Sequence, residues 1–243
     1  IKFILPLLII FFWFIFTYTG KVPPTSLPSL SAVKDTFIEM LKSGQLSNDL
    51  SLSLRRVLAG FFISSVLGIS LGIFMGISSK AKEFFQLTLT AIRQIPMIAW
   101  IPLIILWAGI GEVSKIVVIL FAATFPIVVN TMGGVDSTSE TYLEVAKMYG
   151  LSKKDTFFKV YLPSALPNIF TGLRLGLGAS WMAVVASELI ASSSGIGYRL
   201  NDARSLMRSD VVIVCMIIIG LVGLLMDKLI VLISHELTPW KKN

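Results

Sequence analysis

The sequence predicts an all-α membrane protein with six transmembrane helices, and three observations lead there. Of 243 residues, 55% are hydrophobic and only 14% charged, more apolar surface than a soluble domain of this size can bury. Runs long enough to cross a hydrocarbon core, which takes about 20 apolar residues, recur at 3–19, 57–77, 84–109, 115–135, 166–190 and 211–233. Between the fourth and fifth runs, 137–163 reads instead as a water-soluble pair of helices. Backbone groups in lipid find no outside partners, so each span must close its hydrogen bonds within a helix.

The first run follows Lys2, and Thr17, Tyr18, Thr19 and Gly20 offer no small-residue cleavage site, so it reads as an uncleaved signal anchor. The chain opens on Ile1 rather than Met, which leaves the native N-terminus open. Val22 to Pro28 reads as an extended linker. Ser31 is then expected to cap a short helix ending near Gly44, with Val33, Phe37, Met40 and Leu41 as its apolar stripe. Such a helix lies at the membrane surface or packs on the bundle.

Glycines mark where helices can touch. Gly68, Gly72 and Gly76 fall four apart in the second run, and Gly172 and Gly176 repeat the spacing in the fifth. Internal packing is favoured over a dimerisation seam, though both fit the pattern. The third run carries Pro96 and Pro102, which remove hydrogen bonds and should bend or break it. A broken span is tolerated where it is buried in protein or lines a cavity, so this run is a candidate pathway wall.

In the polar segment, Ser137 with Glu140 three residues on has the spacing of a capping box, and Tyr142, Leu143, Ala146 and Tyr149 give one apolar face. Gly150 suits the left-handed residue that ends a helix. Ser152 with Asp155 opens a second short helix, expected to stop at Pro163, with about two residues joining the pair. By itself this pattern fits an amphipathic hairpin or a docking element.

The net charge of +7 does not imply nucleic acid, because the basic residues are dispersed without interleaved exposed aromatics. Six spans place both termini and the hairpin on one side. Counting Lys and Arg gives nine on each side, so charge alone does not orient the chain. Cys215 is the single cysteine, which excludes an intramolecular disulfide and disfavours a cysteine metal site. No phosphate-binding glycine loop, no ordered Ser/His/Asp set and no paired histidines occur, so no catalytic, metal or cofactor site is expected in this chain.

Polar residues within spans are costly and often functional. Arg93 and Gln94 precede Pro96, and Arg174 lies in the glycine-rich fifth run. Two guanidiniums facing one cavity would attract an anion; the alternative is that each snorkels or pairs with a carboxylate such as Glu188. Glu188, with Ser187 before it and a Ser/Gly stretch after, reads as a gate, a contact for a delivery protein or a helix-ending turn. Trp100, Trp107, Trp181 and Trp240 suit packing or interfacial anchoring more than a substrate cage.

Residues 144–163, EVAKMYGLSKKDTFFKVYLP, resemble the EAA loop of bacterial ABC importer permeases, whose pattern is Glu-Ala-Ala, three residues, Gly, nine residues, Ile, any residue, Leu-Pro. Glu144, Ala146, Gly150, Leu162 and Pro163 stand at full spacing, with Val145 for Ala and Val160 for Ile as the two departures. The runs from Arg93 to Ile116, Phe125 to Thr131, Gly172 to Trp181 and Leu237 to Trp240 are similar to the aliphatic sulfonate, taurine and nitrate importer permeases.

The resemblance implies a type I ABC importer permease fold (MetI-like). Residues 1–54 would form an N-terminal transmembrane helix, linker and amphipathic helix, and 55–243 a permease core of five transmembrane helices with the EAA loop at 137–163. It implies that Glu144, Ala146, Gly150, Leu151, Val160, Leu162 and Pro163 couple to an ATPase. Arg93, Gln94, Trp100, Arg174, Trp181 and Glu188 are then the candidates for the substrate pathway. The implied partners are two ABC ATPase subunits that hold ATP and Mg, a second permease copy as a homodimer, an extracytoplasmic substrate-binding protein and membrane lipid. The implied location is the bacterial cytoplasmic membrane, with EAA loop and C-terminus cytoplasmic. The leading cargo is an aliphatic sulfonate or taurine, with nitrate, bicarbonate or a vitamin precursor behind; an ATPase-independent secondary transporter or channel is the rival class.

Overall fold

The computed structural model describes residues 4–20 and 22–240. Lys2, Lys21, Lys241 and Lys242, four members of the charge count, lie outside the described residues. Every regular element among the described residues is helical: α1 (Ile4–Tyr18), α2 (Leu30–Lys42), α3 (Gln45–Ile77), α4 (Ser79–Arg93), α5 (Met97–Ala108), α6 (Glu112–Asp136), α7 (Glu140–Met148), α8 (Lys153–Thr156), a π-turn (Phe157–Tyr161), α9 (Leu162–Ala191), α10 (Ile196–Ser205) and α11 (Ser209–Leu237). Four segments are long and apolar enough to cross a membrane: Gln45–Ile77, Glu112–Asp136, Lys153–Ala191 and Ser209–Leu237. The chain is a multi-pass membrane protein.

The third expected run is indeed broken. α4 and α5 meet at 98° across Gln94, Ile95 and Pro96, and the pair counts as a fifth span if taken together. Pro102 stays inside α5. The first run is present as α1, an apolar helix of 15 residues without a buried side chain, shorter than the four full spans.

The chain divides into two compact units, one of residues 1–54 and 188–222, the other of 55–187 and 223–243. In the larger unit, α6 is the central helix. A Cβ added at Gly60, Gly68, Gly72 or Gly76 of α3 would stand 2.6–2.7 Å from Ile119, Ile127, Thr131 or Val135 of α6. Both series ascend together, so the two helices run parallel. Gly172 and Gly176 of α9 meet Asn130 and Ile127 in descending order, so α9 runs antiparallel on another side. Ile127, with none of its surface exposed, is thus wedged between glycines of two helices. The glycine series therefore serves internal packing, as the sequence favoured. Ile101 and Ile104 of α5 close a second cluster with Val118 and Ala183.

In the smaller unit, Ser29 rather than Ser31 caps α2, accepting the Ala32 N–H at 3.2 Å. Asp210 at the start of α11 accepts from Thr36 of α2 at 2.7 Å and from Arg208 at 2.7 Å. That bond from the Asp210 carboxylate raises the Arg208 pKa above its ordinary value.

Candidate coupling hairpin and transport pathway

The hairpin forms, with different caps from those expected. Ser137 is consumed at the end of α6, its N–H bonding Gly133 O and its hydroxyl Gly134 O, so it cannot cap the next helix. α7 starts after Ser139, whose side chain makes no capping bond. The far end follows the sequence closely: Gly150 sits at φ +66°, with Gly150 N–H to Lys147 O and Leu151 N–H to Ala146 O at 3.0 Å each. These two bonds satisfy carbonyls that the helix end would orphan. Ser152 then accepts the Asp155 N–H at 3.1 Å and opens α8; four residues, 149–152, join the helices.

Pro163 does not end the second helix. The turn widens to π over Phe157–Tyr161, with Leu162 N–H reaching back to Phe157 O, and α9 continues through Pro163 and Pro167 to Ala191. A proline lacks an N–H and crowds the carbonyl four residues back; the widened turn falls where that crowding would occur.

Ala146 is 3% exposed and so packs inside the hairpin. Met148 and Tyr149 are 87% and 82% exposed, with Tyr142 and Val145 also uncovered. Glu144 is exposed, while Leu151, Val160, Leu162 and Pro163 are half-buried. An apolar groove of about 800 Å³ runs between Tyr142, Tyr149, Leu151, Val160, Pro163 and Trp240. The EAA spacing marks the residues that shape the hairpin. Of the side chains it presents, Tyr142 and Tyr149 belong to the apolar face that the spacing predicts, whereas Met148 carries no such signal.

The two arginines of the pathway set do not share a cavity. Arg174 makes a bidentate pair with Asp227 of α11, at 2.5 and 2.7 Å, and lines a cavity of about 30 Å³ with Trp181. The pairing alternative thus holds for Arg174, with Asp227 rather than Glu188 as its partner. Trp181 is buried beside Gly223. Arg93 instead lines a cavity of about 410 Å³ at the α4–α5 break, together with Trp100, Phe121, Phe125 and Asn130. Gln94 is exposed at the break and Trp100 lies 5.5 Å from the Phe121 ring.

Glu188 is 1% exposed. Its carboxylate takes the Ser53 hydroxyl at 2.8 Å and the Gly197 N–H at 2.9 Å, while Asp49 takes the Gly195 N–H at 3.1 Å and Arg199 at 2.9 Å. The N-terminus of α10 is therefore already satisfied by two protein carboxylates.

Several residues entered the charge count as loop cations yet are engaged in ion pairs. Arg56, 3% exposed, binds Glu112 through two bonds of 2.6 and 2.7 Å, Lys115 joins the same carboxylate at 3.2 Å, and Arg199 holds Asp49. These three sit on helices α3, α6 and α10 rather than in loops.

Long apolar helices around a glycine-packed centre, one broken span beside a cavity, and a polar hairpin at the helix ends define a membrane translocation subunit. The chain belongs to the family of binding-protein-dependent transport system inner membrane components, which it matches over residues 64–238. It is 37% identical over 240 residues to the putative aliphatic sulfonates transport permease protein SsuC of Bacillus subtilis, covering 99% of this chain and 87% of that one. It is 40% identical over 224 residues to the putative ABC transporter permease protein MJ0413 of Methanocaldococcus jannaschii, covering 90% and 84%. Among solved structures, an amino acid ABC transporter crystallised with histidines aligns at a TM-score of 0.67 and 17% identity, over 82% of this chain and 98% of that one. The chain is thus an ABC importer permease subunit with the type I fold, a component of translocation rather than a catalyst. The family implies ATPase and binding-protein partners.

Proposed function

We infer that this chain forms the translocation pathway of an ATP-driven importer for a small anionic solute, an aliphatic sulfonate in first place. The sulfonate assignment is supported by the 37% identity to the Bacillus subtilis sulfonate permease across nearly the whole chain. Two copies of the chain would line the pore. A binding protein would deliver solute on one side, and two ATPase subunits holding ATP and Mg would dock on the cytoplasmic side through the hairpin.

One observation carries the coupling role: a hairpin closed by the Gly150 and Ser152 caps that exposes an apolar patch, with Met148 and Tyr149 projecting beside a groove closed by Trp240. Uncovered apolar surface next to water marks a protein contact. Closure of the ATPases would move the hairpins as rigid bodies and turn the pore between its two openings. The test is co-purification of the cognate ATPase with Met148→Asp/Tyr149→Asp. Loss of the ATPase from an otherwise monodisperse permease is expected. Retention with normal ATP-dependent uptake would refute the docking surface, and uptake by the chain alone in liposomes would favour an ATPase-independent carrier.

A further inference from the structure

We propose that the cavity at the α4–α5 break is a binding site for an aliphatic sulfonate, with Arg93 holding the anionic head and the aromatic wall holding the tail. The proposal rests on the permease reading above and assigns its sulfonate to one cavity with named residues.

Depth comes first. The wall facing Arg93 is built from Phe121, Phe125, Val129 and Asn130, the middle of the 25-residue α6, and from Leu175, near the middle of α9. Arg93 itself is exposed on that cleft, so its charge faces an open pathway rather than packed protein. Arg174 has Asp227, Arg56 has Glu112 and Lys82 has Asp136. Arg93 has no hydrogen bond or ion pair among the described residues, and no acidic side chain lines its cavity. A bound anion would supply the counter-charge, and the planar fork of the guanidinium donates hydrogen bonds to two oxygens of a sulfonate at once.

The rest of the wall selects among anions. Apart from Arg93 and Asn130 the lining is apolar, with the Trp100 ring tilted against Phe121 and two prolines, Pro96 and Pro126, shaping the floor. Nitrate would leave that wall unused. Taurine would bring an ammonium into a cavity with no carboxylate to receive it, at the price of desolvation. An unsubstituted alkyl chain gains from burial there, about 0.8 kcal/mol per methylene. About 410 Å³ accommodates a short-chain sulfonate.

The site can be read without the ATPase, by scintillation proximity binding of radiolabelled hexanesulfonate to the full detergent-purified chain. Saturable binding is expected, with taurine and nitrate competing at least tenfold more weakly. Arg93→Gln should weaken it at least tenfold. Leu175→Trp, which fills the cavity from an exposed position, should do the same while leaving the arginine in place. Undiminished binding in either monodisperse variant, equal competition by taurine or nitrate, or no binding to the wild-type chain would overturn the proposal. Failure of ATPase co-purification is read in a separate experiment. It would undo the coupling reading and leave a positive binding result standing.

Discussion

Ser53 Oγ lies 2.8 and 2.9 Å from the two carboxylate oxygens of Glu188, and the same atom accepts the Ile196 N–H at 3.0 Å. One hydroxyl therefore ties α3 to a carboxylate near the end of α9 and to the first residue of α10. Gly195 closes this arrangement at φ +105°, with an added Cβ falling 2.4 Å from the Glu188 carboxylate.

The cluster should tolerate little. Gly195→Ala forces a side chain onto the carboxylate in a backbone region that disfavours it, a penalty of about 1–3 kcal/mol. Ser53→Ala removes one donor from a buried carboxylate and costs a similar amount, about 1–3 kcal/mol. Thermal melting of the purified protein should show both lowered, whereas Gly178→Ala, with nothing within 4 Å of its Cβ, should melt as wild type.

The helix centre gives a second contrast. At Gly72 a Cβ would stand 2.6 Å from the Thr131 Cβ and 2.8 Å from the Val128 carbonyl, so Gly72→Ala must push two helices apart. Thr131 itself is fully buried and its hydroxyl has no hydrogen-bond partner among the described residues. Thr131→Val keeps the shape and removes that hydroxyl, so it should raise stability by about 1 kcal/mol. Size-exclusion recovery after heating would show Gly72→Ala aggregating first and Thr131→Val last.

Arg174 and Asp227 should behave as a unit. Either Arg174→Gln or Asp227→Asn alone leaves one charge within a span without its partner, and the double neutral variant leaves none. Folded yield in membranes is expected to fall for each single variant and recover in the double. Equal losses in all three would show that the pair is not coupled.

Gly150 separates conformation from contact. Its Cβ would meet nothing within 4 Å, so any penalty comes from φ +66° alone. Gly150→Asn should be tolerated, and Gly150→Val should cost about 1–2 kcal/mol of hairpin order. ATPase capture by the two variants, compared at equal permease, is the measurement. If valine captures as well as asparagine, hairpin order does not limit docking.

These contrasts also show which features local sequence can carry. The spans and the break at Pro96 were legible because apolar length and missing N–H groups act within one segment, and Gly150 because its cap needs only the preceding turn. Ser137 misled because two helix ends compete for it and the α6 end wins. Pro163 misled because a single widened turn removes its clash. The Arg174–Asp227 and Ser53–Glu188 bonds join residues 53 and 135 positions apart, which no local spacing reveals. The division of the two arginines between different cavities follows from those distant partners.

The widened turn at Phe157–Tyr161 has one mechanical consequence. Because Pro163 is absorbed rather than obeyed, the hairpin's second arm and the wall of the Arg93 cavity belong to a single rod, with Leu175 only 22 residues on from Lys153. At 1.5 Å per residue that is roughly 33 Å of continuous helix, so a tilt of roughly 5° at the hairpin, if carried rigidly, would shift the cavity wall by roughly 3 Å. Only the π-turn and the prolines Pro163 and Pro167 offer a place to bend between the end that would be pushed and the end that would grip the solute.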